Sequence, residues 1–153
     1  MARQSKDDDR GPLLGALLRR AHQAVTDEID RAMSEAGFER LQHSHNVVLR
    51  TLWSQPDGVR STELATRARI TKQSMGAMVD SLEVLGHVER IDDPHDGRAK
   101  LIRLTALGRE AGRIIRGTVK RVEADWAKRV GAERLAAMRS TLVDLLLSLD
   151  YDA

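Results

Sequence analysis

The sequence predicts a mostly α-helical chain with a single two-stranded hairpin set among its helices. Three observations predict it. Apolar residues recur at three- and four-residue steps through most of the chain, which is the spacing of one helix face. That spacing gives way to short strand-like runs at residues 87–91 and 99–104, on either side of a turn-rich tip at 92–98. Gly37, Gly86 and Gly131 each close a periodic run, where a helix end favours glycine.

Each element has its own signal. Gly11-Pro12 reads as a helix start, with Pro at the first helical position where its missing N–H costs nothing. Leu14, Leu18, Ala21, Val25, Ile29 and Met33 then make one apolar face as far as Gly37. A second helix spans residues 41–54, with Val48, Leu49, Leu52 and Trp53 as its apolar positions. Pro56-Asp57-Gly58 is a turn, because Pro fixes φ and Gly tolerates positive φ. Ser61 is placed to cap a short third helix, with Glu63 in its first turn and Leu64, Ala65 and Ala68 on its inner face. Thr71 is placed to cap a fourth, carrying Met75, Met78, Val79, Leu82 and Leu85. After the hairpin, Thr105 starts a helix with Leu107, Ala111, Ile114, Ile115, Val119, Val122 and Trp126. The last helix repeats Leu135, Met138, Leu142, Leu145 and Leu149, a packing seam.

Composition bounds the function. The 153 residues are 41% apolar and 31% charged, which suits one globular domain with a real core. Without cysteine there is no thiolate ligand, disulfide or thiol sensor, a usage that suits a reducing cytoplasm. No run of signal-peptide type follows the polar first ten residues, and no apolar stretch approaches a membrane span. The expectation is a cytoplasmic protein. A pI of 9.3 suggests a nucleic-acid binder but overstates the case. Net charge is only +2, and residues 57–105 carry eight basic and eight acidic side chains. Any electrostatic argument must rest on local placement.

Two helices joined by a tight turn and followed by a hairpin form a winged helix-turn-helix. Side chains in the first turns of a helix lying in the major groove reach base edges, and a hairpin beside it can place an Arg in the minor groove. Thr71, Lys72, Gln73 and Ser74 open the fourth helix. Gln can bond adenine bidentately, Lys can donate to guanine or phosphate, and the hydroxyls can serve either role. Free N–H groups at the helix start suit phosphate. Gly76, which weakens a helix by roughly 1 kcal/mol relative to Ala, suggests a close backbone approach, so Met75 and Gly76 join the candidate contact surface with Ser61 and Thr62. Asp80 and Glu83 fall further along, pointing away from the duplex. On the wing, Asp96 is spaced to brace the Arg98 guanidinium, and Lys100 adds a phosphate partner. Taken singly, a polar helix start is an ordinary solvated cap, and Asp96–Arg98 an ordinary surface pair worth about 0–1 kcal/mol.

Together, residues 61–108 resemble the MarR family of bacterial regulators. The likeness is carried by Leu64-Ala65, Ile70-Thr71, Met78-Val79-Asp80, Leu82-Glu83 and Leu85-Gly86. It continues through Val88-Glu89-Arg90, the wing motif Asp96-Gly97-Arg98 and the helix entry Leu104-Thr105-Ala106-Leu107-Gly108. The flanking helices agree in number and order. The resemblance implies a homodimer whose first and last two helices intertwine, placing two recognition helices on one palindrome of double-stranded DNA. It also implies repression relieved by a small-molecule effector in a cleft between the dimerisation and DNA-binding parts. His45 and Trp53, on the helix flanking that cleft, are the candidate ligand contacts. On this basis residues 1–10 are a flexible N-terminus, 11–55 dimerisation and linking helices, 56–105 the winged helix-turn-helix lobe, and 106–153 dimerisation helices. One departure matters. Where many relatives carry Ser or Thr and then Arg in mid-recognition helix, this chain has Gly76-Ala77, which shifts weight onto Lys72 and Gln73.

Other classes fare worse. His43 and His45 point about 200° apart on a helix and cannot chelate one metal together. There is no Gly-rich phosphate loop, His-Glu-x-x-His motif or Cys nucleophile, so neither a cofactor nor an enzymatic activity is expected. Trp53 and Trp126 read first as core or interface anchors, and Arg109, Arg113, Arg116 and Lys120 as a solvated basic stripe. The alternative to a DNA-binding regulator is a helical dimeric interaction or metal-sensing module, in which Lys72, Gln73 and Arg98 are dispensable.

Overall fold

The computed structural model describes residues 11–38 and 40–149. The N-terminal segment expected to be flexible lies outside the described residues. Six helices and three strands follow in the order α1 (Leu14–Glu35), α2 (His45–Trp53), β1 (Val59–Arg60), α3 (Ser61–Ala68), α4 (Lys72–Val84), β2 (Val88–Asp93), β3 (Asp96–Leu104), α5 (Ala106–Val130) and α6 (Ala132–Ser148). The fold is mostly α with a wing, as the periodicity predicts.

The core of the lobe gathers one face from each element except α6. Val48, Leu49 and Leu52 of α2, Leu64 of α3, and Met75, Val79 and Leu82 of α4 pack with Val88 and Ile102 of the wing. Ala111 and Ile115 of α5 and Ile29 and Met33 of α1 complete it. Two caps fix the recognition helix. Thr71 Oγ1 accepts from the Ser74 N–H at 3.1 Å. At the other end Gly86, with φ +79°, lets the His87 N–H reach the Leu82 carbonyl at 2.9 Å, while the Gly86 N–H reaches Glu83.

Several boundaries differ from the sequence reading. Pro12 precedes α1, which opens at Leu14 behind Leu13, and α2 starts at His45 rather than Leu41. Ser61 is the first residue of α3 rather than its cap; Arg60 holds the cap position, without a capping side-chain bond. The wing is three-stranded, in the order β1-β3-β2 with both pairings antiparallel. Strand β1 exists because Gly58, at φ +93°, brings the chain against β3. A Cβ there would stand 3.0 Å from the Ile102 carbonyl oxygen and 3.1 Å from Leu101 Cβ. The β2–β3 ladder runs further than the alternation suggests, leaving Pro94 and His95 as the tip.

Two buried imidazoles sit where α2 meets the end of the recognition helix. His45 Nδ1 accepts from the Gln42 N–H at 3.1 Å, and the His87 ring packs on Phe38 at 5.5 Å. Burial lowers the pKa of both; for His87 the charge of His45 adds to this, while the Leu107 backbone opposes it. A lowered folded value means that the unfolded chain takes up protons first as pH falls. Stability is therefore expected to be flat above about pH 7 and to decline below about pH 6.5, the ordinary imidazole value. Urea unfolding across that range checks it, and His45→Gln with His87→Phe should flatten the decline. A midpoint that does not move down to about pH 5.5 would contradict the assignment.

Candidate nucleic-acid interface

The candidate polar residues stand at three places in the lobe: the start of α3, the start of α4 and the wing. At α4 the Thr71 hydroxyl also donates to Ser74 Oγ at 2.9 Å, so these two side chains satisfy each other. Lys72 and Gln73 lie between them, exposed. Met75, the next residue, is wholly buried, so its side chain belongs to the core and cannot reach a base. Helical phase is the reason: Met75, Val79 and Leu82 form the inner face. At Gly76 a Cβ would meet nothing within 4 Å, which leaves the backbone open to approach from outside. Asp80 and Glu83 both bond the Arg90 guanidinium of β2, Asp80 at 2.5 Å, and are neutralised there.

The wing is held differently from the sequence reading. Asp96 does not brace the Arg98 guanidinium; its Oδ1 accepts the Arg98 backbone N–H at 3.1 Å. Its Oδ2 faces Arg60 Nη2 at 3.3 Å, and Arg60 Nε and Nη2 donate to Asp93 Oδ2 at 2.8 and 2.5 Å. Asp93 Oδ1 accepts the His95 N–H at 2.9 Å. These donors hold the Asp93 carboxyl below the usual carboxylate range, the His95 N–H first and the Arg60 hydrogen bond next. An Asx turn wins over an ion pair because Asp96 stands two residues before the Arg98 N–H it caps. Arg98 is exposed, and among the described residues its guanidinium has no hydrogen-bond or ion-pair partner. Lys100 is less free: its Nζ bonds Asp92 across the ladder at 2.5 Å, an exposed pair that solvent screens. Arg60 immediately precedes α3, whose first residues are Ser61 and Thr62. Sequence reasoning missed Arg60; the available signal was a cation directly after Gly58-Val59.

A separate cleft of about 310 Å³ lies between α2 and α5. Leu49, Trp53, Ile115 and Val119 supply apolar lining, and Arg50, Arg116 and Lys120 are its charged members. The Trp53 ring rests against Gly112, where a Cβ would stand 2.5 Å from its nearest ring atom, and the Arg116 guanidinium sits 5.4 Å from the ring centroid. His45 does not line this cleft. It is 2% exposed and turned into the core, where the Gln42 N–H holds it.

Comparison with known proteins decides the family. The model of the MarR family matches residues 41–99. The HTH-type transcriptional repressor Rv2887 of Mycobacterium tuberculosis is 33% identical over 132 residues, covering 86% of this chain and 92% of the relative. The chain belongs to the MarR family. Among solved structures, the transcriptional repressor CouR bound to a 23-mer DNA duplex superposes with a TM-score of 0.70 at 28% identity, covering 87% of this chain and 92% of that one. CouR of Rhodococcus jostii RHA1 bound to p-coumaroyl-CoA gives 0.66 at 25% identity, covering 87% and 91%. The S. aureus MepR–DNA complex shares the fold, with a TM-score of 0.73 at 19% identity over 90% of this chain and 99% of that one. Among the described residues, no helix is long and apolar enough to cross a membrane.

Proposed function

We propose that this MarR-family chain is a transcriptional regulator that binds palindromic double-stranded DNA as a homodimer and represses until a small molecule releases it. The observation that carries the reading is the placement of exposed Lys72 and Gln73 at a capped helix start on the same small lobe as a wing presenting Arg98, whose guanidinium has no partner among the described residues. Lys72 and Gln73 read bases, helped by Ser74 and the open backbone at Gly76. Thr71, Ser61 and Thr62 hold phosphate, Arg98 enters the minor groove, and Lys100 exchanges Asp92 for phosphate. The CouR–duplex structure supports this for a related fold. Selection from a random duplex pool, followed by binding isotherms, tests it. Gln73→Ala should cost about 1–3 kcal/mol on the selected duplex and relax preference at one position per half-site. Unchanged affinity and unchanged preference would remove Gln73 from the interface.

The dimer is read from apolar surface that the single chain leaves bare. No residue of α6 is buried, and Met138, Leu145, Leu146 and Leu147 are exposed along it. Leu14, Leu17 and Leu18 of α1 are exposed as well. An apolar area of that extent on two helices marks an interface. Light scattering should give twice the 17.0 kDa of one chain at micromolar concentration. A stable folded monomer would contradict it.

The effector belongs in the α2–α5 cleft, with Trp53 as its stacking face. A ligand entering there must displace Arg116 from the ring or part α2 from α5, and α2 leads through β1 directly into α3. This gives a route from the cleft to the spacing of the two lobes, and CouR bound to p-coumaroyl-CoA supports it by analogy.

A further inference from the structure

The tip of the wing is built from two carboxylates and one cation. The β2–β3 ladder shifts register between Asp92 and Asp93, so regular backbone pairing stops short of the tip. Beyond that point side chains take over. Asp93 is 6% exposed yet charged, and Asp96 stands across from it as its ladder partner. Two carboxylates in that position repel unless a cation lies between them. Arg60 supplies it, with Nε and Nη2 on Asp93 and Nη2 on Asp96. Its backbone is fixed elsewhere: Arg60 pairs with Leu101 in the β1–β3 ladder and is the residue from which α3 begins. One side chain therefore ties the wing tip to the start of the helix-turn-helix.

We propose that Arg60 is a positioning residue for duplex binding: it fixes the wing tip, and with it Arg98, relative to α3. The inference rests on the duplex-binding reading above. Arg98 depends on this clamp because its backbone N–H is held by the same Asp96 that Arg60 holds. Without Arg60, Asp93 is a buried carboxylate lacking its cation, and the tip must open to hydrate it.

The test uses the full-length protein and a duplex selected by the wild type, with Arg60→Gln, Arg60→Lys, Arg98→Ala and the double variant Arg60→Gln/Arg98→Ala. Arg60→Gln is expected to weaken binding roughly tenfold, and Arg60→Lys to recover most of that. The double variant should bind no more weakly than Arg98→Ala alone, since both remove one contact. Hydroxyl-radical footprints should lose protection at the flanks the wings cover and keep it over the recognition-helix half-sites. If Arg60→Gln does not fold, Arg60→Gln with Asp93→Asn removes both charges together and is expected to show the same losses. Additive effects with Arg98→Ala, a footprint that fades uniformly, or full affinity in Arg60→Gln would each overturn the proposal. Should Arg98→Ala behave as expected while Arg60→Gln matches wild type, only the positioning role falls. If the wild type selects no duplex at all, the duplex reading falls and takes this inference with it.

Discussion

Replacing Gly108 by Ala is expected to destabilise the fold by about 3 kcal/mol, at the upper end of what overpacking costs. Gly108 lies in the first turn of α5, where Thr105 crosses the turn that ends the recognition helix. The Thr105 N–H donates to the His87 carbonyl at 3.1 Å, and its hydroxyl donates to the Gly86 carbonyl at 2.6 Å and accepts from the Gly108 N–H at 3.1 Å. A Cβ on Gly108 would overlap the His87 carbonyl oxygen and come within 3.0 Å of its carbon. The obstacle is backbone, so no rotamer change relieves it; α5 and the Gly86–His87 turn must separate. For a chain of this size the melting temperature should drop by roughly 6–12 °C. Gly76→Ala provides the opposite case, with nothing within 4 Å of the added methyl. It should raise stability by about 0.5–1 kcal/mol through helix propensity, yet weaken duplex binding where the backbone approaches DNA. Equal melting temperatures for Gly108→Ala and wild type would show that the crossing is looser than described.

The second large effect is expected from Arg98→Ala. The side chain is exposed, has no partner among the described residues, and leaves Asp96 capping the same backbone N–H when truncated. The fold should therefore survive while the wing loses a guanidinium that has no partner among the described residues. Affinity for selected and scrambled duplexes should fall together, by about 1–3 kcal/mol, because minor-groove contact discriminates little beyond A·T content. The salt dependence should flatten by about one unit per wing if each Arg98 neutralises one phosphate. Asp96→Ala should weaken binding too, through the loosened tip rather than through an unbraced guanidinium.

Much of this architecture is legible in the sequence because local chemistry and helical period agree there. Thr71 and Thr105 cap α4 and α5 as their positions suggest, and Gly86 ends the recognition helix in the left-handed conformation that only glycine adopts freely. What the sequence hides is non-local. Strand β1 has two residues, too few for any alternation, and forms only because Gly58 presses against β3. The Arg60–Asp93 pair joins residues 33 apart, and no spacing rule reaches that far. Asp96 near Arg98 invites an ion pair, but a turn consumes the carboxylate first. Met75 shares the polar surroundings of Lys72–Ser74, and only its phase with Val79 and Leu82 shows that it turns inward. His45, two residues after exposed His43, is buried for the same reason of phase.

The most direct measurement of the winged-helix mechanism is a set of binding isotherms for wild type and Arg98→Ala on selected and scrambled duplexes at several salt concentrations. Circular dichroism and light scattering would show that both proteins remain folded dimers. Wild type is expected to bind the selected duplex tightly and with steep salt dependence, and Arg98→Ala to bind both duplexes more weakly and with a shallower slope. A folded Arg98→Ala dimer with both affinities and the slope unchanged would contradict the winged-helix mechanism for this protein.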